Sequence, residues 1–301
     1  MNVGSTFSGV GGFDLGFERA GMRVVWQAEI DEWCRRVLRS HWPKAEVYND
    51  VKEVGGSAPA VDLLCGGFPC QDLSVAGKRA GLAGERSGLF FEFARIADEL
   101  KPRWIVLENV AGLLSASNGR DFGILLATLA EIGYGDLAWR LVCARYFGVP
   151  QRRRRVFIVG HLGGGGERAV RALGAGGEGN LAAGDCSWQA TSATPSGSVG
   201  IAGGVITEAT AKCLTTSNQR LDSETESFVV EPAQGGGVPS VRRLTPTECE
   251  RLMGWPDGWT AVDGERTPDG RRYSACGNGV VANISEWIGR RIMAIEELDN
   301  Q

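Results

Sequence analysis

The chain has few of the residues that build metal centres in proteins. Only two of its 301 residues are histidine, and no two of its eight cysteines form a C-x-x-C pair. Zinc sites need clustered cysteine and histidine ligands, so we predict that the protein holds no metal. A disulfide framework is typical of small secreted domains and does not fit a chain of this length. We therefore predict reduced thiols, most of them buried, in a cytoplasmic protein.

Long apolar runs and an excess of basic charge are also missing. No stretch approaches the 18 apolar residues of a membrane-spanning helix, and the N-terminus lacks the basic and apolar regions of a secretory signal. We expect no membrane partner. The 36 acidic and 32 basic residues give a net charge of −4, which argues against a protein that coats nucleic acid non-specifically.

A regular alternation of strand and helix signals fills the first 160 residues. Apolar and alternating segments predict strands at 2–7, 23–28, 47–48, 61–65, 104–107, 137–143 and 156–159, and helical periodicity separates most of them. This order predicts an α/β fold with a doubly wound, mostly parallel sheet. A last helix carries Ile284, Ile288, Ile292 and Ile295 on one side and needs a sheet to cover that side. We expect a large discontinuous domain of residues 1–162 and 272–301, and a smaller domain with a hinge at 163–271.

Polar and small residues follow the predicted strands at the ends where open parallel sheets bind ligands. The turn Ser8–Gly12 and Glu29, twenty residues after Gly9, resemble a nucleoside-binding unit in which the acid accepts hydrogen bonds from ribose hydroxyls. Asp14 occupies the third glycine position of the dinucleotide pattern, which favours a nucleoside without a pyrophosphate, such as S-adenosylmethionine. The alternative is a tight turn between a strand and a helix.

Two further segments contain candidate chemistry. Cys70 follows Pro69 after a strand end and could act as a nucleophile in its thiolate form, or be an ordinary buried cysteine. The run at 151–155 places Gln151, Arg153 and Arg155 on one side of an extended segment. Arginine planes there could clamp a base or phosphate, or the run could be a solvated surface.

These motifs together resemble the DNA (cytosine-5)-methyltransferase family of bacterial or phage type. Six segments match the family in order over almost the whole chain, and the matching residues are Phe7–Gly12, Gly67–Gln71, Glu108–Val110, the Gln151-Arg153-Arg155 pattern, Arg243–Asp257, and Gly277–Val280 with Ile288-Gly289. Met253 and Trp255 depart from the family's usual Gln and Phe, which we interpret as a packing variation. The region between Gly160 and Arg242 has no match that indicates a target sequence.

The resemblance implies transfer of a methyl group from S-adenosylmethionine to carbon 5 of a flipped-out cytosine in duplex DNA. Cys70 would add covalently to carbon 6, Glu108 would hold and protonate nitrogen 3, Arg155 would bind the base's carbonyl oxygen, and Arg153 would fix the Cys70 loop. We expect Glu108 to have a raised pKa, because partial burial favours the neutral acid.

The resemblance also implies the binding residues and the setting. Residues expected to bind the cofactor are Phe7, Gly9, Gly11, Gly12, Glu29, Asp50, Pro69, Asn278 and Val280, and those expected to contact DNA are Gln71, Ser74, Lys78, Arg79 and Arg86 in a mobile loop at 71–88. Asp50 could instead be a helix cap. The large domain would be catalytic and cofactor-binding, and the smaller one would recognise the target. We expect a monomer in a bacterial or phage-infected cytoplasm, working in restriction-modification.

Other functions have less support in the sequence. A nicotinamide or flavin oxidoreductase on the same fold conflicts with the missing third glycine and with Pro69-Cys70-Gln71. Amino-methyltransferases carry a Pro-Pro element, and no Pro-Pro occurs here. A tRNA-methylating relative shares the catalytic chemistry, and only a substrate assay separates it. A catalytically dead binding module would not be expected to keep Cys70, Glu108 and Arg155 together.

Overall fold

The computed structural model describes residues 1–69, 88–163, 167–174, 198–199, 228–231, 240–262 and 267–299. The strands are β1 (Asn2–Thr6), β2 (Arg23–Ala28), β3 (Glu46–Tyr48), β4 (Leu63–Gly66), β5 (Trp104–Val110), β6 (Asp136–Cys143), β7 (Arg154–His161), β8 (Ser198–Val199), β9 (Phe228–Glu231) and β10 (Ser240–Arg243). The α-helices are α1 (Gly12–Arg19), α2 (Glu32–His41), α3 (Leu89–Leu100), α4 (Arg120–Glu131), α5 (Arg168–Ala172), α6 (Pro246–Leu252), α7 (Asp269–Asn278) and α8 (Ala282–Asp299). Short 3₁₀ turns lie at Val51–Glu53, Ala111–Leu114, Ala116–Gly119 and Ala144–Phe147.

The first seven strands form one mixed sheet in the order β3-β2-β1-β4-β5-β7-β6. Neighbouring strands from β3 to β5 are parallel. Strand β7 runs antiparallel to both β5 and β6. The prediction of a mostly parallel α/β sheet is confirmed. The sequence pattern did not reveal the reversed direction of β7, because apolar periodicity does not carry strand direction.

Apolar side chains cover both faces of this sheet, which explains why its central strands are apolar throughout. On β5, Trp104 and Val106 join one buried cluster and Ile105 and Leu107 join the other, as the two-residue period of a strand requires. Helices α1 and α8 cover the first face, and α3 and α4 cover the second. The sheet is therefore the middle layer of three.

Helix α8 packs on α1, as its isoleucine stripe predicts. Ile284, Ile288, Ile292 and Ile295 are all buried in the cluster that contains Phe13 and Phe17 of α1. The helices approach closely at Gly16, where an added Cβ would lie 2.0 Å from the Ser285 hydroxyl oxygen. The last helix of the chain therefore completes the layer begun by the first.

The segment before α7 also packs onto this layer. Leu244, Cys249, Leu252, Trp255 and Trp259 are buried in the same cluster as α1 and α8. A capping box between Thr245 and Glu248 begins α6, and Pro246 stands in its first turn.

A second, antiparallel sheet has the order β10-β9-β8. Most of the chain between 175 and 239 lies outside the described residues. The smaller domain at 163–271 stays a prediction.

Candidate active site

One cavity of about 720 Å³ lies beyond the carboxyl ends of the parallel strands. This is the edge where open parallel sheets bind ligands, because the loops after several strands converge there. The predicted site residues that line it are Phe7, Gly9, Gly12, Glu29, Asp50, Pro69, Glu108, Arg153, Arg155, Asn278 and Val280. The structure therefore brings most of the predicted cofactor residues and three of the four predicted catalytic residues to one cavity.

The glycine turn after β1 depends on backbone conformations that favour glycine. Gly9 and Gly11 have φ angles of +55° and +86°. A Cβ on Gly12 would lie 2.3 Å from the Val280 carbonyl oxygen, so only glycine lets the two loops meet. Gly11 is not among the residues that line the cavity, and a Cβ there would lie 2.4 Å from the Trp42 ring. Its predicted role in cofactor binding stays a prediction.

Glu29 stands at the end of β2 with its carboxylate tied to the backbone around it. One oxygen accepts a 2.7 Å hydrogen bond from the Gly9 N–H, and the other accepts a 2.9 Å bond from the Asp31 N–H. Burial raises the pKa of Glu29, although these two N–H donors oppose the shift. Arg35 donates to the Glu29 carbonyl at 2.9 Å and also to the Ile30 carbonyl, which holds this loop in place.

Asp50 caps a 3₁₀ turn and also lines the cavity, so the cofactor role that the sequence offered for it stays a prediction. Its side chain accepts a 3.0 Å hydrogen bond from the Lys52 N–H and caps the 3₁₀ turn Val51–Glu53. Asp50 also lines the cavity, as do Phe7 and Glu29, and each of these residues follows the end of a strand. A carboxylate accepts more than one hydrogen bond, so the cap leaves capacity for a ligand donor.

Glu108 is buried on β5 and paired with an arginine. The Arg155 Nε atom lies 3.1 Å from Glu108 Oε1, and both side chains are less than one-fifth exposed. Burial raises the pKa of Glu108, and Arg153 and Arg155 oppose that shift. The expectation of a raised pKa agrees with this environment. The pair places one group that can carry a proton beside one fixed positive charge.

Neighbouring groups hold the walls around Glu108. The Asn109 side-chain amide donates a 2.9 Å hydrogen bond to the Phe68 carbonyl and ties β5 to the loop after β4. Arg153 is almost fully buried, and its guanidinium donates to the Gly277 carbonyl at 3.0 Å and the Gly279 carbonyl at 2.8 Å. These contacts join the arginine segment to the turn after α7.

Several predicted residues lie outside the described part of the chain. They are Cys70 of the catalytic set and Gln71, Ser74, Lys78, Arg79 and Arg86 of the DNA-binding set. Their roles stay predictions. The described loop residue Pro69, which precedes Cys70, does line the cavity.

Sequence reasoning missed a second group of cavity residues. Ile30, Asp31 and Cys34 line the cavity from the start of α2, and Arg271 and Ser274 line it from α7. The Arg271 Nη1 atom lies 3.4 Å from Asp31 Oδ2, which joins the two helices by an exposed ion pair. Helical spacing could have found the α7 residues, since positions 271, 274 and 278 fall on one face of a helix.

Four of the five cysteines in the described part of the chain have thiols that burial makes less acidic. Burial raises the pKa of Cys34, Cys65, Cys249 and Cys276, to about 12 for Cys249. Thiols with raised pKa values are poor nucleophiles at neutral pH. This agrees with the prediction that most cysteines are buried packing residues. Within the described ranges, no three metal-ligating side chains come together.

Asp14 is the largest departure from the pattern of the glycine turn, and it is fully buried. Ser5 Oγ donates to one carboxylate oxygen at 3.1 Å and Gln27 Nε2 donates to the other at 2.8 Å. Burial nevertheless raises the pKa of Asp14 to about 6. The carboxyl links α1 to β1 and β2 directly behind the cavity.

The raised pKa of Asp14 makes the free energy of unfolding fall as pH rises. A raised pKa means that the folded protein binds the proton more tightly than the unfolded chain does. The neutral carboxyl therefore stabilises the fold at low pH, and this contribution is lost as pH rises from about 4 through about 6. We therefore compare the free energy of unfolding of Asp14→Asn with that of the wild type at pH 5 and at pH 8. We expect the difference to shift in favour of the variant by roughly 1–2 kcal/mol when the pH is raised from 5 to 8. Denaturant titrations at both pH values measure this, with the exposed Asp98→Asn as control, and a difference that does not change with pH contradicts it.

None of the helices that the structure describes has the length and hydropathy needed to cross a membrane.

Comparison with known protein sequences identifies relatives for nearly the whole chain. The family model described as C-5 cytosine-specific DNA methylase matches residues 1–172 and 187–294. The type II methyltransferase M2.BsuMI of Bacillus subtilis is 31% identical over 97% of this chain and 75% of its own length. The type II methyltransferase M.Eco47II of Escherichia coli is 41% identical over 51% of this chain and 37% of its own length. The chain thus spans less than half of some curated relatives.

Solved structures share the fold at low sequence identity. The S. pombe Dnmt2 methyltransferase has a TM-score of 0.71 at 16% identity and covers 99% of both chains. A putative DNA modification methyltransferase encoded within an E. coli prophage has a TM-score of 0.62 at 20% identity and covers both chains fully. At such identities the likeness supports the α/β fold alone.

Proposed function

The chain belongs to the C-5 cytosine-specific DNA methylase family and is a DNA cytosine-5 methyltransferase, and from this premise we propose its mechanism. It transfers the methyl group of S-adenosylmethionine to a flipped-out cytosine in a specific duplex sequence, through a covalent adduct of Cys70. The observation that carries the proposal is that Phe7, Glu29 and Asp50 line the same cavity as the Glu108–Arg155 pair.

The described residues of the cavity fit S-adenosylmethionine. The cavity volume of about 720 Å³ lies within the usual range for small-molecule sites. Phe7 offers an aromatic face for the adenine, Glu29 offers a carboxylate to the ribose hydroxyls, and Asp50 offers one to the adenine amino group. Asn278 and Val280 would line the methionine end. When bound, this cofactor supplies an electrophilic methyl group.

Cytosine needs activation because its carbon 5 is a poor nucleophile. The Cys70 thiolate adds to carbon 6, which turns the ring into an enamine that is nucleophilic at carbon 5. Glu108 holds and protonates ring nitrogen 3, so the negative charge of the addition does not build up on the ring. Arg155 binds the carbonyl oxygen of the base. After methylation, a base such as water takes the carbon 5 proton as the carbon–sulfur bond breaks, and nitrogen 3 returns its proton to Glu108, which releases neutral 5-methylcytosine and the Cys70 thiolate.

A base inside the duplex is not accessible to a thiolate. The enzyme must flip the cytosine out of the stack, which costs a few kcal/mol. We propose that residues 71–88 close over the flipped base, with Gln71, Ser74, Lys78, Arg79 and Arg86 meeting the DNA. Residues 163–271 would then form the part that recognises the target sequence. The protein would act as a monomer in the cytoplasm, where it meets DNA.

The decisive experiment measures methyl transfer and maps the product. Purified protein is incubated with S-adenosylmethionine carrying a labelled methyl group and, in parallel reactions, with duplex DNA or transfer RNA. Analysis of the hydrolysed nucleosides identifies the labelled atom, and bisulfite sequencing locates the modified base in the DNA. We expect label at carbon 5 of cytosine within one recurring sequence. Label on transfer RNA and not on DNA would overturn the DNA assignment, and label on an exocyclic amino group would overturn the mechanism.

A further inference from the structure

Two tryptophans behind the cavity each donate to a carbonyl of a different cavity loop. The Trp259 indole N–H donates a 2.8 Å hydrogen bond to the Val10 carbonyl in the glycine turn. The Trp255 indole N–H donates a 3.2 Å hydrogen bond to the Val280 carbonyl in the loop after α7. Val10 and Val280 both line the cavity. The short segment 255–259 therefore bonds both loops from the side opposite the cavity.

The surrounding contacts fix the orientation of both rings. His41 stacks on Trp259 at 3.5 Å between ring centroids with an angle of 4° between the planes. A Cβ on Gly279 would lie 2.6 Å from the Trp255 ring, so that ring fills the space that glycine leaves. Trp255 and Trp259 are both buried. The two N–H groups are thus held in line with the Val280 and Val10 carbonyls.

The two loops also meet each other. The Val280 carbonyl oxygen, which accepts from Trp255, is the atom that a Cβ on Gly12 would approach to 2.3 Å. A shift of either loop therefore displaces the other. Indole nitrogen is a donor only, and phenylalanine has no equivalent group, so both hydrogen bonds depend on tryptophan. At position 255 the tryptophan therefore adds a hydrogen bond to Val280 and is more than the packing variation that the sequence suggested.

We propose that Trp255 and Trp259 are positioning residues that set the geometry of the cofactor cavity by holding its two loops from behind. This inference rests on the proposed use of S-adenosylmethionine. Loss of one indole N–H leaves a buried carbonyl without its partner and lets the loop relax. Small displacements of the two loops should weaken binding of the cofactor. Glu108 and Arg155 lie on β5 and β7 and not on these loops, so their positions, and with them kcat, should change little.

The test compares Trp259→Phe and Trp255→Phe with Trp104→Phe. The Trp104 indole, at the start of β5, donates a buried 2.7 Å hydrogen bond to the Glu296 carboxylate, so Trp104→Phe also removes one buried indole hydrogen bond but does so away from the cavity. Calorimetry measures the Kd of S-adenosylmethionine. We expect a five- to tenfold rise in Kd and in cofactor KM for each cavity-side variant, with kcat changed less than twofold. Trp104→Phe should lower the unfolding midpoint comparably and leave Kd unchanged.

A second readout does not depend on activity. Amide hydrogen exchange should accelerate at residues 8–13 and 279–282 in the cavity-side variants and not in Trp104→Phe. Unchanged Kd and unchanged exchange in these segments would overturn the inference while the wild type still binds the cofactor. A wild-type protein that binds no S-adenosylmethionine would instead contradict the proposed function on which it rests.

Discussion

Replacing Cys70 with alanine is expected to abolish methyl transfer and leave binding of S-adenosylmethionine unchanged. Without the thiolate, the cytosine ring gains no negative charge and carbon 5 stays unreactive. We expect a loss on the order of 10⁶-fold in kcat, the size found when the nucleophile of a covalent hydrolase is removed. Labelled methyl transfer to duplex DNA measures the activity, and calorimetry measures the cofactor Kd.

The matched control removes a different thiol. Cys143 lies half-buried at the end of β6, outside the cavity, and Cys143→Ala should keep wild-type kcat. A direct readout uses DNA in which fluorine replaces the hydrogen at carbon 5 of the target cytosine. Fluorine is not lost as a cation, so the elimination stops and wild-type protein should stay bonded to the DNA. Near-normal transfer by Cys70→Ala, or an adduct formed without Cys70, would contradict the covalent mechanism.

Local signals predicted the elements of the sheet well. The strand at 23–28 has the predicted bounds, because its apolar segment lies between Gly21 and the polar Glu29. The packing of α8 was predictable from its isoleucine stripe. The direction of β7 could not be predicted from the sequence. Its antiparallel pairing with β5 joins residues such as Glu108 and Phe157, which lie far apart in the chain.

The site residues were predictable where a single short motif provides the residues on one side of the cavity. Phe7, Glu29 and Asp50 follow strand ends and Glu108 lies near the carboxyl end of β5, and parallel strands bring such ends together. The contacts behind the walls were not predictable, because they join distant segments. The hydrogen bonds from Arg153 to the turn after α7 and from Trp259 to the glycine turn are examples. Burial of Asp14 also depends on three elements that only the folded chain assembles.

Replacing Glu108 with glutamine is expected to lower kcat by about 10²- to 10⁴-fold with little change in the cofactor Kd. Glutamine keeps the shape of the side chain and an oxygen that can accept from Arg155 Nε, which lies 3.1 Å from Glu108 Oε1 in the wild type. It cannot transfer a proton to ring nitrogen 3. The effect should therefore appear in kcat and not in the unfolding midpoint. The exposed Glu297→Gln on α8 serves as the control for loss of one carboxylate.

The pH profile separates proton donation from a purely structural role of Glu108. Burial raises the pKa of this carboxyl, so its protonated form persists to higher pH than that of an exposed glutamate. As pH rises through that pKa, the proton donor is lost and activity falls, whereas the Cys70 thiolate becomes more abundant. The wild type should show a bell-shaped profile. Glu108→Gln should lose the alkaline limb and keep the acidic limb set by Cys70. A variant with wild-type kcat, or one that retains the alkaline limb, would show that another group protonates the base.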